Sequence, residues 1–375
     1  MRIAVNTSGA IVGGAVTHLR NVLPRMLEQV GGDELVVIAN DRTAAAIGLD
    51  PERVEHVDPG VAFENQLRRL AWENSALRGL LQRLRADVVF HPTNIPLYRS
   101  PVPQVNLMHN MAPFLPAIIA LEATRQRLRF NALRWLTASA FRFADRTIFI
   151  SEWGKQRVME MTRPTRDPGP VIPFGADHLR PDPDSEILRS WDLVPGRYLL
   201  SVSHFYRYKR IEHLVRSYTE LGPRAADFPL VLVGTAYDEP YTQEVRRLAE
   251  NAPGRVIFTG GLDPGSVYTL LEGCAVFVFT SEAENMPIAL LEAMREGAPI
   301  VTNRTCSMPE VCGDAAIYTD ALDAGGYARA LGPLLESEAL RGEYAERSRS
   351  RSRDYRWSEA AAATLALLRE VAGGA

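Results

Sequence analysis

Cysteine is scarce in this chain, and its scarcity narrows the choices. Cys274, Cys306 and Cys312 in 375 residues are too few and too irregularly spaced for a disulfide framework or a zinc knuckle. Long hydrophobic runs are also missing: no apolar stretch approaches the ~18 residues of a membrane span, and "MRIAVNTSGAIVGG" opens as a strand and glycine turn without a signal core. A cytoplasmic chain is expected, soluble or at most peripheral on the inner membrane face. Nor is there a charge excess. Forty-two Lys and Arg against 45 Asp and Glu leave a net charge of -3, which argues against a protein that binds nucleic acid by neutralising phosphates. "GAIVGG" lacks the GxGxxG spacing and no GK[ST] follows, so dinucleotide and P-loop fingerprints are absent.

Short apolar runs separated by helix-length segments are abundant. "RIAVN", "ELVVIAN", "DVVFHP", "PQVNLMHN" and "RTIFIS" occupy the first half, and "RYLLSVS", "PLVLVG", "RVIFTGG", "AVFVFTS" and "APIVTN" the second. Runs of this length, rich in β-branched residues, read as parallel strands buried on both faces of an α/β protein. Between the sets, Pro164, Pro168, Pro170, Pro173, Pro181 and Pro183 break any helix. The predicted domains are therefore 1–180 and 181–355, with a terminal helix over 356–375 N-capped by Ser358. Each doubly wound half should receive ligands at the carboxyl ends of its strands.

One segment concentrates chemistry. In "SEAENMPIALLEAMREG", from Ser281, Pro287 suits the first helical turn and Gly297 the C-terminal cap, placing Glu284 in the loop and Glu292 about two turns into the helix. A helix N-terminus favours a phosphate, and the two carboxylates could accept hydrogen bonds from sugar and ribose hydroxyls. On spacing alone, Glu284 equally serves the helix dipole and Glu292 equally faces solvent. "SVSHFYRYKRIEHL" sets Arg207 and Lys209 at a strand end, where they read as diphosphate ligands or as an exposed basic loop. His109 ends "NLMHN" as a structural or a functional histidine. Asp182 and Asp184 in "PDPD" fall in the proline linker and read as solvated connector. The other histidines show no ligand spacing, and no metal is expected.

The stretch Ser281–Ala316, with Pro309-Glu310 in it, resembles the glutamate-x7-glutamate region of retaining GT-B glycosyltransferases of the GT4 family. Gly13-Gly14, His109-Asn110, "VIPFGAD" and the Trp-led last helix extend the resemblance over nearly the whole chain. It implies a GT-B fold: two Rossmann-like doubly wound domains facing across a cleft, the last helix returning to the first. The first would bind the acceptor and the second a UDP-, GDP- or dTDP-sugar as co-substrate, with no cofactor. Glu292 would hold the ribose and Glu284 the donor sugar; the backbone of Asn285, Met286 and Ile288 would face the sugar and diphosphate, Pro287 offering no N–H. Lys209 matches the family's diphosphate-binding lysine. The family's arginine a few residues earlier is replaced, His204 standing close to its place, with Arg207 as the substitute cation. His109 would contact the donor near the anomeric carbon, and Gly13 and Gly14 would let backbone approach phosphate and acceptor. This chain departs from the family where Asn285-Met286-Pro287 replaces glycine-aromatic-glycine.

The acceptor, whether a sugar, a lipid-linked sugar or a small molecule, turns on Arg125–Arg146. "RQRLRFNALRWLTASAFRFADR" reads as a helix with its aromatics in the core, or as a basic, aromatic face for an anionic membrane. Two further readings remain open: a sugar-nucleotide-binding subunit without turnover, and a GT-B sugar-nucleotide epimerase that needs no acceptor.

Overall fold

The computed structural model describes residues 1–9, 14–50, 52–60, 66–121, 124–164, 168–178, 182–184 and 186–374. Internal contacts divide the chain into one unit of Met1–Gly175 with Arg356–Ala375, and another of Ala176–Tyr355. The linker position near residue 180 lies outside the described residues.

The first unit holds strands β1 (Arg2–Asn6), β2 (Glu34–Ile38), β3 (Glu55–Val57), β4 (Val88–His91), β5 (Gln104–Met108) and β6 (Arg146–Phe149) in the order β3-β2-β1-β4-β5-β6. The second holds β7 (Leu199–Val202), β8 (Leu230–Val233), β9 (Val256–Gly260), β10 (Val276–Val278), β11 (Ile300–Asn303) and β12 (Ala316–Thr319) in the order β12-β11-β10-β7-β8-β9. All pairings are parallel. Both sheets are doubly wound, because the strand order reverses beside the first strand of each unit. The central strands β4, β5, β8, β10 and β11 are buried along their whole length, as parallel strands covered on both faces are. The ten expected strands are all present. Two more, β3 and β12, lie at sheet edges, where one-sided burial leaves only "EHV" and "AIYT", too short and too polar to read as apolar runs.

The terminal helix spans Trp357–Gly373 and packs on the helix Gly14–Gln29 of the first unit. It begins one residue before the expected cap: Arg356 holds the capping position without a side-chain hydrogen bond, and Ser358 is already helical. Packing sets this start. Trp357 is fully buried and stacks on Phe174, ring centroids 5.3 Å apart.

The helix Thr124–Phe143 does not keep its apolar residues in the core. Phe130 is buried, but Leu128 is 67% and Trp135 71% exposed, and Phe143 is also exposed; the side chain of Phe141 lies outside the described set.

A Cβ on Gly175 would stand 2.3 Å from the Trp357 backbone nitrogen and 2.5 Å from its ring. Gly175→Ala should therefore destabilise the first unit by about 1–3 kcal/mol through overpacking, read as a lowered thermal transition. An unchanged melt would mean that the terminal helix yields to the extra carbon.

Candidate functional site

In the second unit, β7 and β10 are hydrogen-bonded neighbours, with Leu200 opposite Phe277. The chain leaves β7 toward β8 on one side and β10 toward β11 on the other, which opens a crevice at their carboxyl ends. Beyond β7 a 3-10 turn, Arg207–Lys209, stops at Arg210, whose φ of 52° is left-handed. Beyond β10 the chain runs through Glu284 to the helix Ile288–Glu296.

The two loops are stitched together. The Glu282 N–H donates to the Tyr208 carbonyl at 2.8 Å, and the Thr280 hydroxyl donates to the Lys209 carbonyl at 2.7 Å. Arg210 pairs with Glu282 at 2.7 Å. Within this frame Lys209 Nζ lies 2.6 Å from Glu284 Oε1, each side chain 15% exposed. The amide of Asn303 and the hydroxyl of Ser307 hold the carbonyls of Ser281 and Glu284 from below, at 2.9 and 3.3 Å.

The helix starts at Ile288, one residue later than expected. Pro287 stands just outside it with an extended ψ of 102°, and its carbonyl accepts the Leu290 N–H at 3.0 Å. The role of proline is otherwise as expected, since the position ahead of a helix needs no N–H donor. Gly297 closes the helix in a left-handed conformation, φ 74°. Asn285 and Met286 are buried, anchoring the loop whose backbone precedes the helix.

Glu292 sits just over one turn into the helix, not two, and does not face open water. Burial pushes its carboxyl up to about 7, while a hydrogen bond with Tyr268 and the charge of Arg295 act in the opposite direction.

Arg207, in the same turn as Lys209, pairs with other carboxylates. Its guanidinium lies 3.2 Å from Glu244 and 3.5 Å from Asp238, over the Tyr241 ring. His204 does not replace the missing cation either: burial and the nearby Lys209 charge hold its pKa below the usual histidine range, and Nδ1 accepts the Thr235 N–H at 3.2 Å. Sequence reasoning missed a ladder of rings on the same loops. Tyr206 stacks on Tyr208 at 5.6 Å and on Tyr237 at 5.3 Å, and His204 meets Tyr237 edge-on. The alternation Tyr206-x-Tyr208 was its one local signal.

In the first unit the corresponding crevice lies between β1 and β4. The His109 ring hydrogen-bonds the Gly14 backbone, and burial holds its pKa below the usual histidine range. Gly13 lies outside the described residues. Asn94 fixes the turn after β5: its Oδ1 accepts the N–H groups of His109 and Asn110 at 2.9 and 3.0 Å, and its Nδ2 donates to the Asn110 carbonyl. Beneath lies a buried chain from His91 through Asn6 to Glu73, which also accepts the Ser8 hydroxyl at 2.5 Å. A cavity of about 290 Å³ opens above, lined by Gly9, Arg69, Asn94, His109, Arg129 and Thr137 among others. Asp184, one of the linker aspartates, accepts the Ser266 hydroxyl at 2.9 Å.

Residues 12–180 match the family model described as Glycosyltransferase Family 4, and residues 188–351 the one described as Glycosyl transferases group 1. The chain belongs to the GT-B glycosyltransferases. Among solved structures, this GT-B chain is similar to sucrose-phosphate synthase from Thermosynechococcus elongatus (TM-score 0.75, 16% identity, all of both chains). It is also similar to HepE from Anabaena in complex with UDP and glucose (TM-score 0.74, 18% identity, 99% of this chain and all of that one). A sequence relative is the serotype-specific mannosyltransferase WbdA of Escherichia coli, 26% identical over 62% of this chain. That match spans 28% of the relative's length.

Glu292 carries a pH signature in the helix Ile288–Glu296. Its folded pKa lies above the unfolded value near 4.5, so its stabilising contribution is complete below that value and is lost as pH rises through about 7. Glu292→Gln removes the buried charge. It should melt above wild type at pH 8, by on the order of 1 to 3 kcal/mol, and close to wild type at pH 5. The same difference at both pH values would place the carboxylate in water.

Proposed function

We propose that this chain is a retaining, metal-independent GT4-type glycosyltransferase that moves a hexose from a nucleoside-diphosphate sugar to an acceptor hydroxyl. The Lys209–Glu284 pair at the switch point of the second unit, just ahead of the helix beginning at Ile288, carries this reading. Lys209 and the first-turn N–H groups of that helix supply the positive charge that a departing diphosphate needs, without a cation. Glu284 takes hydroxyls of the donor sugar, and Glu292 takes the ribose. In a front-face substitution the bond from the anomeric carbon to the leaving phosphate breaks as the acceptor oxygen bonds on the same face. The acceptor proton passes to that phosphate. His109, neutral through burial, donates or accepts a hydrogen bond and carries no charge in this scheme.

The matches to the two family models support the reaction class, the UDP bound in HepE supports a nucleoside-diphosphate donor, and the likeness to WbdA favours mannose as the sugar. A binding subunit without turnover, or an epimerase, would hold the same nucleotide. Turnover that depends on an acceptor separates them.

The acceptor is lipid-linked on this reading. No acidic residue stands between Thr124 and Ala144, and the helix there exposes Leu128 and Trp135 beside arginines, a pairing that suits an anionic membrane surface. Wild type should sediment with vesicles containing phosphatidylglycerol, and Arg127→Glu with Arg134→Glu should remain in solution. Equal behaviour of the two proteins would remove the membrane from the reading.

Calorimetric titration with UDP, GDP, dTDP and ADP should find one clear binder, weakened in Lys209→Ala. In the same variant turnover should fall by on the order of 2 to 4 kcal/mol of barrier. A wild-type rate would reject the leaving-group role of Lys209, and no binding to any nucleotide would reject the donor site.

A further inference from the structure

The cavity of the first unit is built for an anion. Of the thirteen described residues that line it, two are arginines and none carries a carboxylate. The arginines come from different elements: Arg69 from the helix Gln66–Glu73 and Arg129 from the helix Thr124–Phe143. Arg69 is only 11% exposed, and its Nε stands 3.8 Å from Glu73 Oε1, beyond hydrogen-bond length. That buried Nε has no hydrogen-bond acceptor among the described residues.

Glu73 is not part of the lining. Its Oε1 accepts from the Ser8 hydroxyl and the Asn6 amide, and burial pushes its pKa up while the Arg69 charge acts in the opposite direction. Gly9 keeps the wall beside Arg69 open: a Cβ there would stand 2.1 Å from Thr93 Cγ2 and 3.1 Å from Arg69 Nη1.

A neutral sugar needs hydrogen-bond acceptors for its hydroxyl protons, and the side-chain amide acceptors here are engaged. Asn94 Oδ1 takes two backbone N–H groups, and Asn110 Oδ1 takes the Ala112 N–H. What the wall offers is guanidinium, whose forked donors match phosphate oxygens.

We propose that this cavity binds a phosphate group carried by the acceptor, with Arg69 and Arg129 as its ligands. The inference rests on the glycosyltransferase reading only in calling that ligand the acceptor. The phosphate belongs either to a lipid headgroup or to a soluble sugar phosphate.

The test is calorimetry on the full chain with mannose, mannose 1-phosphate and dihexanoyl-phosphatidylglycerol held below its micelle concentration. At least one phosphate should bind while mannose does not, and the affinity should fall as NaCl rises. Arg129→Gln should weaken it at least tenfold, with Arg129→Lys retaining most of it. The lipid alone binding would name the headgroup; mannose 1-phosphate alone would name the soluble acceptor; both would name the shared phosphate.

Mannose 1-phosphate held at the nucleotide site would instead be lost in Lys209→Ala and unchanged in Arg129→Gln. That pattern overturns the proposal. So do mannose binding as tightly as its phosphate, no phosphate binding at all, or unaltered affinity in Arg129→Gln. Nucleotide titration of the wild type runs beside these and judges the donor reading separately.

Discussion

The pairing of Lys209 with Glu284 is the constraint around which the second unit is arranged. Each group is largely withdrawn from water, and either one alone would be an unpaired charge near the protein interior, a strongly destabilising state. The two can meet only because β7 and β10 are adjacent and parallel, so that the loops leaving both strands emerge at the same end of the sheet. The backbone bonds between Tyr208 and Glu282 and from Thr280 to Lys209 then fix the approach of the side chains. Sheet topology, loop stitching and ion pair are successive consequences of one strand order.

The same topology yields different chemistry in the first unit. There too the strand order reverses beside the first strand, yet the crevice is floored by the chain from His91 to Glu73 and walled by arginines. Burial leaves His109 neutral, and the charged side chains among the described lining residues are Arg69 and Arg129, with Glu73 beneath them, 3.8 Å from Arg69. A fold supplies the place where a site forms, and the side chains grafted there decide what it takes.

The fold was legible because parallel strands buried on both faces write continuous apolar runs, and all ten such runs became strands. The edges β3 and β12 escaped because half-burial leaves no run to read. Helix punctuation was read to within a residue at Pro287 and within two at the last helix, where Arg356 and not Ser358 holds the cap, and the left-handed Gly297 was read correctly, since backbone geometry there follows from residue type. Side-chain partnership was harder. Arg207 looked like a phosphate ligand because its neighbours in sequence are cations, whereas its own carboxylates, Glu244 and Asp238, lie on and ahead of a helix some thirty residues on. The exposure of Trp135 was hidden for a related reason: hydrophobic pattern says which residues prefer burial, not whether another element arrives to cover them.

The basic run Arg207–Arg210 shows why charge counting in sequence misleads. In three dimensions each cation has its own acid: Arg207 with Glu244, Lys209 with Glu284, Arg210 with Glu282. The strand end is therefore close to neutral, and a dianionic ligand gains little from long-range attraction. On the proposed reading it must compete with Glu284 for Lys209. That competition links two events, because a diphosphate that draws Lys209 away releases the Glu284 carboxylate to accept a hydrogen bond from a sugar hydroxyl. A bare phosphate would break the pair and leave the carboxylate unpartnered, whereas a diphosphate sugar satisfies both halves. Discrimination between them arises from the group left unpaired, the same penalty that holds the pair together in the free protein.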